Sequence, residues 1–457
     1  STGVMPFVKV VDSEMLAFSQ GVTRRGSYAA YIHMSHPEVE EFLDMRKPTG
    51  GDTNRKCLNL HHGVVIPDKF MEIIHRATKE DGFDDSWELI DPHSGEVKKV
   101  VSARTLWVKL LQNRMETGEP YLMFEDAVNA DLPQFQIDKG MRVHHSNLCS
   151  EITLATDEER TAVCCLSSVN LEYYDEWKKV PAFIPDLIRM LDNVLESFIQ
   201  NAPQQLERAQ FSAMRERSLG LGAMGFHAYL QKNGISFESP IASAINYEIF
   251  ESIKSQAQET TEQLAVERGA CPDDDSCSVR NAHLLAIAPN ASSSIICGNT
   301  SPSIEPYRAN AYTQKTKSGS YLQKNKFLEK VLEKYNSNNE NTWKSIVTNK
   351  GSVQHLEFLS EEEKEVFKTA VEINQSWVIE HAAQRQEFIC QSQSVNLFFP
   401  PDVNKGELHN IHMLAWAKNM KTLYYLRSEA ISRADNVSNK IKREIIFEQQ
   451  DCLSCEG

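Results

Sequence analysis

The chain has 457 residues, 41% hydrophobic and 24% charged, a composition that suits a soluble protein of one large domain or up to about three ordinary ones. A net charge of −15 with no basic block excludes a nucleic-acid-binding surface as the main activity, although a small phosphate-bearing substrate needs only a local site. No apolar run is long enough to span a bilayer, the start lacks a signal peptide's basic flank and apolar stretch, and ten scattered cysteines read as reduced cytoplasmic thiols rather than a disulfide scaffold.

Taken from the N-terminus, Gln20-Gly21-Val22-Thr23-Arg24-Arg25-Gly26 reads as a glycine loop whose cation either contacts a ligand or simply turns the chain. Residues 102–118 predict an amphipathic helix, capped by Ser102 and stopped by Gly118. In Asn147-Leu148-Cys149-Ser150-Glu151 the polar residues alternate, so a strand would put Asn147, Cys149 and Glu151 on one face. That row offers an amide to hold a polar group, a thiol as nucleophile or hydrogen-atom carrier, and a carboxylate for proton transfer. A short turn later comes Cys164-Cys165; adjacent cysteines rarely bridge each other, so one faces a site while the other packs in the core.

Helical spacing of apolar residues predicts helices over 183–201, over 241–268 (closed by Gly269) and over 361–386. Short apolar runs at 284–288, 294–297 and 395–399 suit buried strands. Between the first two, Pro289-Asn290-Ala291-Ser292-Ser293-Ser294 is either a Ser-rich turn or a place where backbone N–H groups and hydroxyls approach a phosphate. Residues 314–345, rich in Lys, Asn and Ser, read as a surface excursion. A helix at about 406–420 runs into the strand candidate Leu423-Tyr424-Tyr425-Leu426, whose two phenols pack a core or relay a radical. From Ser438 onward the chain reads as a mobile tail ending in Cys452-Leu453-Ser454-Cys455, either an exchanging dithiol or half a zinc site. The alternation of strands and helices predicts an α/β barrel or a doubly wound sheet.

Together these segments resemble the large (alpha) subunit of class I ribonucleotide reductase. Asn147-Leu148-Cys149-x-Glu151, Cys164 ahead of Leu-Ser, the Pro-x-x-Ser-Ser turn, Ile304-Glu305-Pro306, Tyr424-Tyr425 and the terminal cysteine pair occur in that family's order. The resemblance implies that 1–437 is the C-terminal portion of a ten-stranded α/β barrel, with Cys149 on a loop inside it as the thiyl radical. It further implies that Glu151 takes the ribose 3′-hydroxyl proton, Asn147 holds the sugar and Cys164 is one member of the reducing dithiol. Ala291, Ser292 and Ser293 then bind substrate phosphates, and Gln20 and Arg24 lie on the loop linking effector identity to base choice. Tyr424 and Tyr425 end the relay from a metal-containing small subunit, while Cys452 and Cys455 shuttle electrons from thioredoxin or glutaredoxin. No cofactor or metal is implied within this chain.

The family's regulatory domain, first barrel strands and other active-site cysteine have no counterpart here. The expectation is therefore a split or truncated, phage-type large subunit, with a companion N-terminal chain carrying the ATP or dNTP effector site. Three rivals are a cobalamin-dependent reductase, which has no use for the tyrosine pair, a non-catalytic assembly subunit, and a zinc-binding module.

Overall fold

Parallel pairing carries the architecture of the computed structural model, which describes residues 3–20, 24–316 and 319–428. The strand Cys165–Asn170 pairs in parallel with Leu219–Met224 along its whole length. Leu221 bridges in parallel to Leu285, and Ile287 to Gln393, so the extended 284–288 segment continues the ladder. The chain around Gln393 runs on into Leu397–Phe399, which pairs in parallel with Leu426–Ser428. Just upstream, Thr422–Leu423 pairs antiparallel with Tyr121–Phe124, which is followed by the parallel strands His61–Ile66 and Ala29–His33. The strands His61–Ile66, Tyr121–Phe124 and Leu219–Met224 are buried throughout, as expected where both faces are covered.

A series of helices packs along the outside. Phe183–Asn201, Pro240–Arg268, Gln375–Gln386, Lys405–Ala417, Asp68–Lys79 and Ala103–Thr117 each touch the next. Their limits follow local chemistry. The Ser102 hydroxyl accepts from the Thr105 N–H, and Gly118 adopts a left-handed φ of 84° that ends the helix. Ser239 caps Pro240–Arg268 in the same way, with proline in the first turn. On Phe183–Asn201 the buried residues Ile184, Ile188, Leu191 and Leu195 fall at helical spacing and face the core. Inside the wall, Gly222 matters for its size. A Cβ there would overlap the Ala286 carbonyl oxygen and come within 3.2 Å of Ile287 Cα, so glycine permits the close approach of two strands.

Several sequence expectations need correction. The helix expected over 361–386 is two helices, Glu361–Val366 and Gln375–Gln386. Thr369 turns its N–H and hydroxyl onto Glu372, and Asn374 caps the second helix, so side chains compete with the helical ladder between them. The strand expected at 294–297 lies mostly in a short helix, Ala291–Ile296, with Ile296 exposed. The excursion at 314–345 is built on an antiparallel hairpin, Ala311–Thr316 with Gly319–Lys324, and two helices. Phe327, Leu328, Leu332, Trp343 and Ile346 form part of its own buried core, an apolar pattern diluted by surface Lys and Asn. The strand expected at 423–426 is divided between two sheets. The tail, with Cys452 and Cys455, lies outside the described residues. Among the described residues no helix is long and apolar enough to cross a membrane.

Candidate active site

The 147–151 segment is a loop, so strand pleat does not group its polar residues. Ser150, at φ 68°, donates its N–H to the Asn147 carbonyl across a tight turn. The Asn147 side-chain oxygen is used locally, accepting from the Ile152 N–H at 3.1 Å and the Ser146 hydroxyl at 3.2 Å. Such local bonds draw the backbone away from a ladder. The resemblance implied a loop inside the barrel, and a loop is what the structure has.

Barrel residues hold this loop from several sides. The Ser394 hydroxyl donates to the Cys149 carbonyl at 2.6 Å, Thr422 to the Ser150 carbonyl at 2.8 Å, and the Ser392 N–H to the Glu151 carbonyl at 2.9 Å. Tyr31 donates to the Asn147 carbonyl from the opposite wall at 3.2 Å. The Ser394 oxygen also lies 3.3 Å from Oε2 of Glu151. Cys149 and Glu151 are both buried, at 5% and 2% exposure, so this loop holds a thiol and a carboxylate away from bulk water.

Asn147, Cys149 and Glu151 line one cavity of about 230 Å³, whose other wall comprises Ala288, Pro289, Asn290, Ala291, Ser292 and Ser293. The two most suggestive stretches of the sequence, far apart in the chain, thus face one space. Asn290 takes a left-handed φ of 54°, and its side chain accepts from Ser168 at 3.1 Å, which fixes the turn against the Cys165–Asn170 strand.

Cys164 stands just before that strand. Its thiol accepts from the Gln391 side-chain amide at 3.3 Å, and a Cβ on Gly220 would come within 2.9 Å of it. Burial pushes this thiol well above its usual range, although the Gln391 amide opposes the shift. Cys165 packs against the main core. Leu166, rather than Cys164, contributes to the cavity lining from this edge.

The rings of Tyr424 and Tyr425 lie 4.3 Å apart between centroids, tilted by 55°. Tyr121 packs against both, at 4.7 and 5.0 Å. These three tyrosines and Cys149 form one buried cluster. Gln20 and Arg24 are cross-strand partners in the small hairpin Ser19–Gln20 with Arg24–Arg25.

Sequence reasoning missed Tyr31, Tyr121, Ser392, Ser394 and Thr422. Single hydroxyls and aromatics carry no spacing signal, and only the tertiary fold brings them to the loop. Among the described residues no group of three or more His, Cys, Asp or Glu side chains is placed to hold a metal ion.

Comparisons with known proteins point the same way. The chain matches the family described as ribonucleotide reductase, barrel domain, over residues 1–276 and 274–426. It is 47% identical to a Frog virus 3 protein named for the ribonucleoside-diphosphate reductase large subunit, over all of this chain and 79% of that protein. It is 44% identical to the ribonucleoside-diphosphate reductase large subunit of Invertebrate iridescent virus 3, over all of this chain and 80% of the relative. A solved structure, the Actinobacillus ureae class Id ribonucleotide reductase alpha subunit, superposes with a TM-score of 0.82 at 37% identity, covering 95% of this chain and 76% of that one.

Proposed function

The chain belongs to the ribonucleotide reductase family, and from that premise we propose that it reduces ribonucleotides to deoxyribonucleotides in the cavity between the 147–151 loop and the 289–294 turn. It is an oxidoreductase of the large-subunit type. The observation that carries the assignment of the site is the convergence of Asn147, Cys149, Glu151, Ala291, Ser292 and Ser293 on one cavity.

The residues suit the following sequence. A radical made on a metal-containing small subunit oxidises Tyr425, and the hole passes through Tyr424 to Cys149. The Cys149 thiyl takes the ribose 3′-hydrogen, closing its S–H bond and leaving a carbon radical. Glu151 accepts the 3′-hydroxyl proton while the Asn147 amide holds the sugar. The 2′-hydroxyl leaves as water. Two electrons and the accompanying protons come from a dithiol of which Cys164 is one member, and this becomes a disulfide. Cys149 then returns its hydrogen to C3′ and is a thiyl again. The small residues Ala291, Ser292 and Ser293 let backbone groups approach the phosphates. Gln20 and Arg24 contribute on the base side, as the effector-linked loop. Cys452 and Cys455 reset the dithiol with electrons from thioredoxin or glutaredoxin.

The packing of both phenols with Cys149 supports the relay, since contact between rings shortens each transfer. Burial of Cys149 supports radical chemistry, because a thiyl exposed to solvent is quenched. The test is Cys149→Ser in the enzyme assembled with its small subunit. Deoxynucleotide formation is expected to vanish while nucleotide binding persists, and normal turnover would refute the assignment.

A further inference from the structure

Cys164 has a buried neighbour with no part in the reaction as set out above. The side chain of Gln391 is fully buried, and its NH2 group has two acceptors, the Leu219 carbonyl at 2.8 Å and the Cys164 sulfur at 3.3 Å. The Leu219 carbonyl decides which way the amide faces. Reversed, the amide would set its oxygen against that carbonyl, acceptor to acceptor, so the nitrogen is the atom beside the sulfur. The main chain of Gln391 is held as firmly. Its N–H donates to the Leu285 carbonyl at 3.1 Å, and its carbonyl accepts from the buried Lys421 ammonium at 2.7 Å and the Gln386 amide at 3.0 Å. The donor aimed at Cys164 is therefore fixed in place before any chemistry begins.

A sulfur in so dry a site needs such a donor if it is to carry charge. Burial is the largest influence against charge on Cys164, and Cys165, Glu151 and Glu216 add to it, whereas the Gln391 amide opposes them. An N–H directed at a sulfur is worth more when that sulfur is ionised than when it is neutral. We propose that Gln391 is a positioning residue for the reducing dithiol, its amide fixing the Cys164 sulfur and stabilising that sulfur as a thiolate. This inference rests on the reading of Cys164 as a member of that dithiol.

The charge arises when the disulfide left by each round of reduction is reset. A thiolate of the incoming dithiol bonds to the other sulfur of the disulfide, the old S–S bond breaks, and its electron pair leaves on Cys164. The second thiol of the incoming dithiol then closes a disulfide with the first and releases the other sulfur. Of the two protons the incoming dithiol gives up, Cys164 takes one and its partner sulfur the other. Gln391 exchanges no atom in these steps. Its N–H meets the departing pair and eases the release of Cys164, because a better stabilised thiolate leaves faster.

The test uses the assembled enzyme with its small subunit. Gln391→Met keeps the length of the side chain without the donor, and Gln391→Asn draws the amide back from the sulfur while leaving an amide in the core. Alkylation of Cys164 by iodoacetamide, which requires the thiolate, is followed on its own peptide by mass spectrometry across the alkaline range. Both variants are expected to alkylate about tenfold more slowly than wild type at each pH. After one round of reduction, dithiothreitol should reset the oxidised variants several-fold more slowly, with nucleotide KM unchanged. Alkylation at the wild-type rate or faster in both variants would overturn the proposal, since loosened packing opens the thiol whereas loss of the donor slows it. An unchanged reset rate would overturn it as well. Normal turnover in Cys164→Ser would bring down the dithiol reading and the proposal with it, whatever the alkylation rates.

Discussion

Ser394→Ala removes one oxygen atom from beneath the reactive loop. The hydroxyl is 2% exposed and has one proton, which the 2.6 Å contact with the Cys149 carbonyl claims. Without it that buried carbonyl loses a donor, and the Glu151 carboxylate loses a neighbour 3.3 Å away. Leaving a buried acceptor unpaired costs about 1–3 kcal/mol. The bonds from Thr422 to Ser150 and from Ser392 to Glu151 remain, so the loop stays attached and the cost should fall near the lower end. With 1.4 kcal/mol equal to about a tenfold change in rate, equivalent loosening of Cys149 and Glu151 should lower turnover by roughly tenfold. Chemical denaturation and deoxynucleotide formation measure the two effects on one preparation. A variant with unchanged stability and unchanged kcat would refute the reasoning that Ser394 sets the loop's position.

Glu151→Gln should keep the fold and lower turnover by about 100-fold, as expected for loss of a general base; turnover within a few-fold of wild type would reassign that proton transfer. Gly222→Ala should destabilise the barrel by about 3 kcal/mol, the upper end for overpacking, because the new methyl meets the Ala286 backbone rather than a side chain that can swing away. An unshifted thermal midpoint would show that the two strands have slack. Changing Cys452 and Cys455 to Ser should stop turnover driven by thioredoxin while a pre-reduced enzyme completes one round; absence of that first round would contradict the shuttle role.

Much of the outer layer was legible because capping and spacing are local. Ser102 marks a helix end through its hydroxyl, Gly118 and Gly269 do so through a positive φ, and Phe183–Asn201 has the predicted limits. The site was legible as residue types in order, but its shape was not. Asn147, Cys149 and Glu151 alternate as a strand would, yet the Asn147 side chain bonds within its own loop and cancels the pleat. Apolar composition alone could not separate a strand from a helix at 294–297, where Ile296 points to solvent. Gln391 and Cys164 are 227 positions apart and become neighbours only because the ladder from Cys165–Asn170 through Leu219–Met224 and the 284–288 segment reaches Gln393.

The tyrosine pair sits where the chain leaves one sheet for another, between Thr422–Leu423 and Leu426–Ser428. Every main-chain polar group of the pair is held. The Tyr424 N–H donates to the Val395 carbonyl at 2.9 Å, and the Tyr424 carbonyl accepts from Arg114 at 3.1 Å. The Tyr425 N–H donates to the Asn396 side chain at 3.2 Å, and the Tyr425 carbonyl accepts from the Leu397 N–H at 3.0 Å. In the proposed relay, a charge hopping between these rings would meet surroundings that are already oriented and have little room to relax, which would keep the reorganisation energy of each hop small. Loosening any of those anchors, even with both phenols intact, should therefore slow the hop itself, because part of the driving force would be spent on moving the backbone.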